Sequence, residues 1–361
     1  MSEMKKVSSI RELGNRLGLS AATVSYALRD DPKIGLATRR RIQQTAKKLG
    51  YRKNERFASM MSHLRRAQVS SSKNGERIAF VWMHTSRELS RQDHYFREVF
   101  KGAQTRAENA GFALEEFWTD DPGMTDRRLE KIIRARGITG VVISPVTTPE
   151  ATLTLNWTWS DFCVAAIGST SWVPEICQAG HNHFLGMRLA LLELRKQGVK
   201  RPAAIIERES NERATRGWEA GFLAYSPNPD RARKMLKLPS RDQSENLASW
   251  VHAIRPDALV VSKDSILDSP LLRKTVETMN LPVATLHWSG RRGFVGGIDM
   301  AYDRIAGYAV DLVIAQLNNS EIGVPDLPRI MLFPGRWVMA DSIFGNKGKV
   351  LNIPQRESAI T

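Results

Sequence analysis

From residue 77 onward the chain alternates short apolar runs with amphipathic stretches, and that rhythm restricts its fold more than any other feature. The runs Arg77–Trp82, Phe112–Phe117, Gly140–Ser144, Cys163–Ile167, Pro202–Ile206, Ala258–Ser262 and Val283–Leu286 have strand composition. Between them apolar residues recur at helical spacing, as at Phe96, Val99, Ala103 and Ala107 before Gly111, or Leu185, Leu189 and Leu192 before Gly198. Further stripes run through Trp218, Phe222 and Leu223, through Leu247, Val251 and Ile254, and through Leu272, Val276 and Met279. Strands separated by helices are joined by crossovers and pair in parallel. The pattern reads as a doubly wound α/β body and, taken alone, goes no further.

The first 66 residues obey a different period. In the segment Leu17 to Leu28, Ser20 is a good N-cap, and Val24, Ala27 and Leu28 share one helical face while Ala21, Ala22, Ser25 and Tyr26 turn away. Upstream, Ser9-Ile10-Arg11-Glu12 has capping-box form, with Ile10, Leu13 and Leu17 as a short apolar stripe. Gly18 stands where a tight turn between two helices needs positive φ. A third helix is expected with Thr38, Ile42, Ala46 and Leu49 inward and Arg39, Arg40, Arg41, Lys47 and Lys48 outward, ending at Gly50. This is helix-turn-helix form, although a plain three-helix unit with a solvated basic face has the same pattern.

Charge separates the two. Residues 1–73 hold 17 Lys and Arg against 5 Asp and Glu, so +12 of the chain's net +15 lies in its first fifth. That concentration is the footprint of a phosphate-binding unit and, with the motif, points to a nucleic acid as partner.

Gly18-Leu19-Ser20-Ala21-Ala22-Thr23-Val24-Ser25, then Thr38-Arg39-Arg40-Arg41-Ile42, then Leu49-Gly50-Tyr51-Arg52-Lys53-Asn54 resembles the head of a LacI/GalR (lactose/galactose repressor) regulator. Over the body, Gly297-Ile298-Asp299, Ala309 to Val313, Gly323-Val324-Pro325 and Gly335-Arg336-Trp337-Val338 resemble that family's closing section. The resemblance implies a small all-α helix-turn-helix head on a two-lobed effector domain of the periplasmic-binding-protein-like type I fold. The implied division is a DNA-binding domain at 1–52, a hinge helix at 53–66, a linker at 67–76, an effector and dimerisation domain at 77–345 and a tail at 346–361.

By the same resemblance the partner is double-stranded DNA, and Ser20 to Leu28 enters its major groove, with Ala21, Ala22 and Tyr26 reading bases. Tyr26 stands where many members have Arg, which removes the usual bidentate guanine contact. Thr23, Ser25, Arg29, Thr38 and Asn54, with Ser20 at the helix start, are the other candidate DNA contacts, chiefly to phosphates. For Arg29 an exposed charge, and for Thr38 a helix cap, are the plainer readings. Phe57, Met60, Met61 and Leu64 form a stripe that most often means a buried helix face. The resemblance makes it a hinge helix with Met60 as the wedge between base steps. Lys53 replaces the usual Pro there, and Phe57 a small residue.

Open α/β sheets bind ligands beyond the carboxyl ends of their strands. The segments expected there are Met83 to Ser86, Ser144 to Val146, Gly168 to Thr170, Glu209 to Arg213, Lys263-Asp264 and His287-Trp288. Arg213 resembles the family's effector-binding arginine, with Arg216 nearby, and Asp264 its hydroxyl-binding carboxylate, with Lys263 in place of Asn. Inter-lobe salt bridges are the alternative for both. Trp288 suits stacking on a sugar face or a core position equally. A fork and a carboxylate fit a polyhydroxylated or anionic small molecule. His181-Asn182-His183 suggests a metal site but lacks further ligands at suitable spacing. The resemblance, in which the family has an Asp at this point before a helix, implies that Asn182 caps the following helix.

No Gly-x-Ser-x-Gly elbow, phosphate-binding Gly loop or metal cluster is apparent, so neither an enzyme nor a cofactor is expected. Cys163 and Cys177 fit no metal or redox spacing, no apolar run spans a bilayer, and the N-terminus lacks a signal-peptide core. The expectation is a cytoplasmic homodimeric transcriptional regulator, chiefly a repressor, responsive to a sugar-like effector. The alternatives are an architectural DNA-binding protein, an activator without a small-molecule effector, and a sugar-metabolising enzyme on the same scaffold.

Overall fold

Two six-stranded sheets, one per lobe, carry the body. The computed structural model describes residues 10–28, 34–49, 76–146, 152–240, 246–291 and 293–340. The first sheet runs β13-β7-β5-β3-β1-β2, where β1 is Arg77–Trp82, β2 Ala113–Trp118, β3 Gly140–Ile143, β5 Cys163–Ile167, β7 Cys177–His181 and β13 Ile330–Phe333. All its pairings are parallel, as the crossover argument requires. The second runs β14-β12-β11-β10-β8-β9, with β8 Pro202–Ile205, β9 Leu236–Lys237, β10 Ala258–Val261, β11 Val283–Thr285, β12 Gly296–Asp299 and β14 Arg336–Met339. Only β14 runs antiparallel to its neighbour. A small parallel pair, β4 (Thr152–Thr154) and β6 (Ser171–Val173), flanks the first lobe.

Each sheet is covered on both faces, which is why its central strands are uniformly apolar rather than alternating. On one face of the first sheet, Phe80, Trp82 and Val142 meet Phe96, Val99 and Ala103 of helix His94–Asn109, with Ala306, Ala309 and Val313 of helix Tyr302–Asn319. On the other face, Val81, Val141 and Ile143 meet Leu129 and Ile133 of helix Asp126–Ala135. The second sheet is sandwiched likewise, by Met187, Leu191, Trp218 and Phe222 on one face and Val251, Leu272 and Val276 on the other.

The chain passes between the lobes three times. It leaves the first lobe after β7, because helix His183–Lys196 packs in the second lobe. It returns at Met300-Ala301, where Ala301 has φ +53°, and recrosses at Pro334-Gly335 between β13 and β14. The crossings touch one another. The Asn182 amide donates to the Phe333 carbonyl at 2.6 Å. Gly335, at φ +70°, lies so close that an added Cβ would sit 2.7 Å from the Asp299 carbonyl and 3.0 Å from His181.

Seven strands anticipated from periodicity are present, most with ends shifted by one residue. The strands at β4, β6, β7, β9 and β12 to β14 were not anticipated. Several of these are two to four residues long, and β12 begins Gly-Gly, too short or too glycine-rich for period to register.

Helices His94–Asn109 and Tyr302–Asn319 cross where a Cβ on Gly102 would stand 2.1 Å from the Asp303 carbonyl. Gly102→Ala is therefore expected to force the helices apart and cost about 1–3 kcal/mol, typical of overpacking. A fall in the urea midpoint of the purified protein checks this, and an unchanged midpoint would show that the helices separate freely.

Candidate functional site

The head consists of α1 (Ile10–Leu17), α2 (Ala21–Leu28) and α3 (Leu36–Lys48). The turn between α1 and α2 closes at Gly18, φ +68°, and the Leu19 amide donates to the Gly14 carbonyl at 2.9 Å. Ser20 caps α2: its Oγ accepts from the Thr23 amide at 3.0 Å and lies 2.8 Å from Thr23 Oγ1. Leu13, Val24, Ala27, Ile42 and Ala46 are buried together, which fixes the three helices against one another. Gln43 Nε2 donates to the Ala27 carbonyl at 3.0 Å, tying the end of α2 to α3.

This packing leaves Tyr26 exposed on α2 and Arg40, Arg41, Lys47 and Lys48 exposed on α3. Ala21, Ala22 and Ser25 fall within α2 beside them. Thr38 departs from expectation. It is neither inward nor a cap: Gly35 is the N-cap, and Thr38 is exposed in the first turn, which projects beyond the small core. Arg39, three residues before Ile42, takes the partly buried place instead. Arg29, Gly50, Asn54 and Met60, with the expected hinge helix and tail, lie outside the described residues.

The second site is a cavity of about 1030 Å³ between the lobes. Strand ends and crossings of both lobes line it, as the carboxyl-end rule for open sheets demands. Arg213 and Trp288 are among its lining residues. Arg216 is not: it is exposed and pairs with Glu212 at 2.8 Å. Asp264 is also absent from the lining. It opens a short 3-10 turn, where Ser289 Oγ donates to Oδ2 and Arg291 donates to its carbonyl at 3.2 Å, while its neighbour Lys263 faces the cavity. The turn after β10 swings the carboxylate away, a local rotation that residue spacing does not encode. Met83 to Ser86 does not line the cavity either, and Asp93 to Tyr95 at the next helix start does.

A bonded chain of side chains runs along the second-lobe wall. Arg213 Nη2 donates to Ser210 Oγ at 3.1 Å, Ser210 donates to Glu207 Oε2 at 2.5 Å, and Lys263 Nζ donates to Glu207 Oε1 at 2.7 Å. Opposite lies an aromatic cluster in which Tyr95 and Tyr302 ring centroids are 4.4 Å apart and His287 sits 5.3 Å from Tyr302. At the crossings, His181 and His183 rings are 4.9 Å apart, and His183 lies 4.4 Å from the Trp218 ring. Asn182 between them caps the following helix, its Oδ1 accepting from the Leu185 amide at 3.0 Å. Among the described residues no three His, Cys, Asp or Glu are grouped to hold a metal ion. Tyr95, Glu207 and Trp218 carry no site signal in the sequence, because aromatic and single polar residues at helix starts resemble ordinary core and capping positions. His181 and His183, whose spacing suggests a metal site, line the cavity instead.

Residues 9–54 match the model of the bacterial regulatory proteins of the lacI family. The head is therefore similar to the DNA-binding head of that family. The body agrees in fold with solved structures of such regulators. The cellobiose complex of the transcriptional regulator CelR is 14% identical, with TM-score 0.53 over 92% of this chain and 99% of that one. The lac repressor dimer bound to operator and the anti-inducer ONPF is 16% identical, with TM-score 0.50 over 92% and 98%. A periplasmic binding protein/LacI regulator from Alkaliphilus metalliredigens complexed with D-xylulofuranose is 14% identical, with TM-score 0.50 over 74% and 99%. No curated protein matches the sequence significantly. The fold is thus a lacI-type helix-turn-helix head on a periplasmic-binding-protein-like α/β body. Among the described residues, no helix is long and apolar enough to cross a membrane.

Burial, reinforced by His287, lowers the His181 pKa to about 4; His183 is lowered well below the ordinary value, again chiefly by burial. These imidazoles are neutral in the folded chain and take up protons on unfolding once the pH is below about 6.5. Their contribution to stability is therefore complete above that pH and is lost as the pH falls toward 4. His181→Asn is expected to flatten the stability-versus-pH slope between pH 6.5 and 5 by nearly one proton. Urea titrations at several pH values measure it, and parallel slopes for variant and parent would contradict the assignment.

Proposed function

We propose that this lacI-family protein is a transcriptional repressor that binds a pseudo-palindromic operator as a homodimer and releases or tightens it in response to a sugar-like molecule. The observation carrying the reading is the combination of a basic helix-turn-helix head with an interlobe cavity lined by both lobes. Two-fold protein symmetry places two heads on two half-sites. The solved relatives named above include complexes with cellobiose, with xylulofuranose and with operator DNA, which supports a sugar in the cavity and DNA at the head.

In this reading residues 1–52 bind DNA, 53–66 form the hinge, 67–76 link it to the body, 77–345 bind effector and dimerise, and 346–361 are a tail. Ser20, Ala21, Ala22, Thr23, Ser25 and Tyr26 enter the groove, with Arg29, Thr38, Asn54 and Met60 completing the contact. Arg213 and Trp288 contact the effector from the cavity wall, while Asp264 acts through Ser289 and the loop after β11. Effector and operator then alter each other's affinity by one common factor.

Footprinting of the full-length protein across genomic DNA, with and without a panel of sugars, tests this. A compact two-fold footprint that one sugar shifts is the expected result. Uniform, steeply salt-dependent coverage indifferent to every sugar would assign the chain to architectural binding instead. Tyr26→Ala is expected to relax preference at one base-pair position in each half-site, at a cost of about 1–3 kcal/mol. Arg40→Ala should weaken all sequences alike and reduce the salt slope by about one. Competition binding over operator variants at several salt concentrations distinguishes the two, and identical profiles would refute the division of roles.

A further inference from the structure

The charges around the interlobe cavity narrow the chemistry of what fills it. Two of its fixed cations are engaged by carboxylates in the same wall: Lys263 by Glu207 at 2.7 Å, and Arg336 by Asp299 at 2.7 Å. Arg213 is linked through Ser210 to that same Glu207. Asp93, Glu98 and Asp303 also line the cavity, so among the described residues the walls carry two more carboxylates than Arg and Lys. A cleft lined with an excess of one sign and floored by low-dielectric groups focuses that field on its contents.

The floor supplies the opposite of charge. Among the described residues, His183 Nδ1 and Trp218 Nε1 are buried with no hydrogen-bond partner, and the two ring nitrogens of His181, which lies near the Phe333 carbonyl, have none of good geometry. All three residues line the cavity. Leaving such groups unpaired is costly, so their partners are to be sought in the ligand. A neutral imidazole presents one donor and one acceptor, and an indole one donor. A hydroxyl satisfies either kind, because it donates and accepts. A phosphate or carboxylate accepts only; it would meet the excess carboxylates and compete with Glu207 and Asp299 for their cations.

We infer that the cavity takes a polyhydroxylated ligand carrying no anionic group, its inner hydroxyls seated on His181, His183 and Trp218. This rests on the reading that a small effector occupies the cavity, and it separates sugars and amino sugars from sugar acids and sugar phosphates.

Calorimetry and thermal shift of the full-length protein at pH 7.5 test it, using a library of neutral sugars, amino sugars, sugar acids and sugar phosphates. Matched pairs, such as xylulose with xylulose 5-phosphate and cellobiose with cellobionate, form its core. Binders are expected among neutral or amino members, with each anionic counterpart at least about tenfold weaker. An anionic member binding more tightly than its neutral parent overturns the inference while leaving the effector reading intact. Binding by no compound removes the effector reading, and the inference with it. His183→Phe keeps a ring against Trp218 and removes the nitrogens. It should weaken the best neutral binder by about tenfold, and by nothing for the analogue lacking the seated hydroxyl. Equal losses for parent and deoxy analogue would overturn the seating.

Discussion

The structure depends on how three chain crossings are held together in one place. The 2.6 Å bond from the Asn182 amide to the Phe333 carbonyl joins the first crossing to the third, and Gly335 lets the third pass against β12 with no side chain between. His181 lies at this junction, close to both Gly186 and Gly335. His181 and His183 thus lie both at this junction and in the cavity lining.

The head is stabilised differently. Among its described residues the buried cluster is five side chains, so the capped turn at Ser20 and the Gln43 bond to Ala27 carry a larger share of its order than any single bond does in the body. Arg40, Arg41, Lys47 and Lys48 stay on the surface. The chain thus separates its duties by charge, with a basic head for phosphates and a cavity whose walls are net acidic. An anion bound by the head has no electrostatic reason to enter the cavity.

Much of this was legible in the residues. Val24, Ala27 and Ile42 lie in the head core where helical period puts them, and Arg77–Trp82 and Cys163–Ile167 are strands to the residue. Period works there because one face of each element is buried. It fails for β12, whose two glycines carry no pattern, and for Thr38, where a helix outruns the core it packs on. Arg213 and Asp264 are legible only through resemblance to the family's pattern; Arg213 lines the cavity, while Asp264 sits on the short turn beside it. The shared setting of His181 and His183 is not visible from their spacing, because the crossings bring that floor together.

Those crossings also set the order in which the protein can be built. The first lobe lacks helix Tyr302–Asn319 and edge strand β13 until more than three hundred residues have been joined, although β1 to β7 are complete by residue 181. On a ribosome adding roughly 5–20 residues per second, Phe80, Trp82 and Val142 wait for Ala306, Ala309 and Val313 while the whole second lobe is made. The second lobe waits in turn only for β14. Neither lobe is therefore built from one continuous stretch of chain, and the core of the first sheet is completed only after the second lobe has been made.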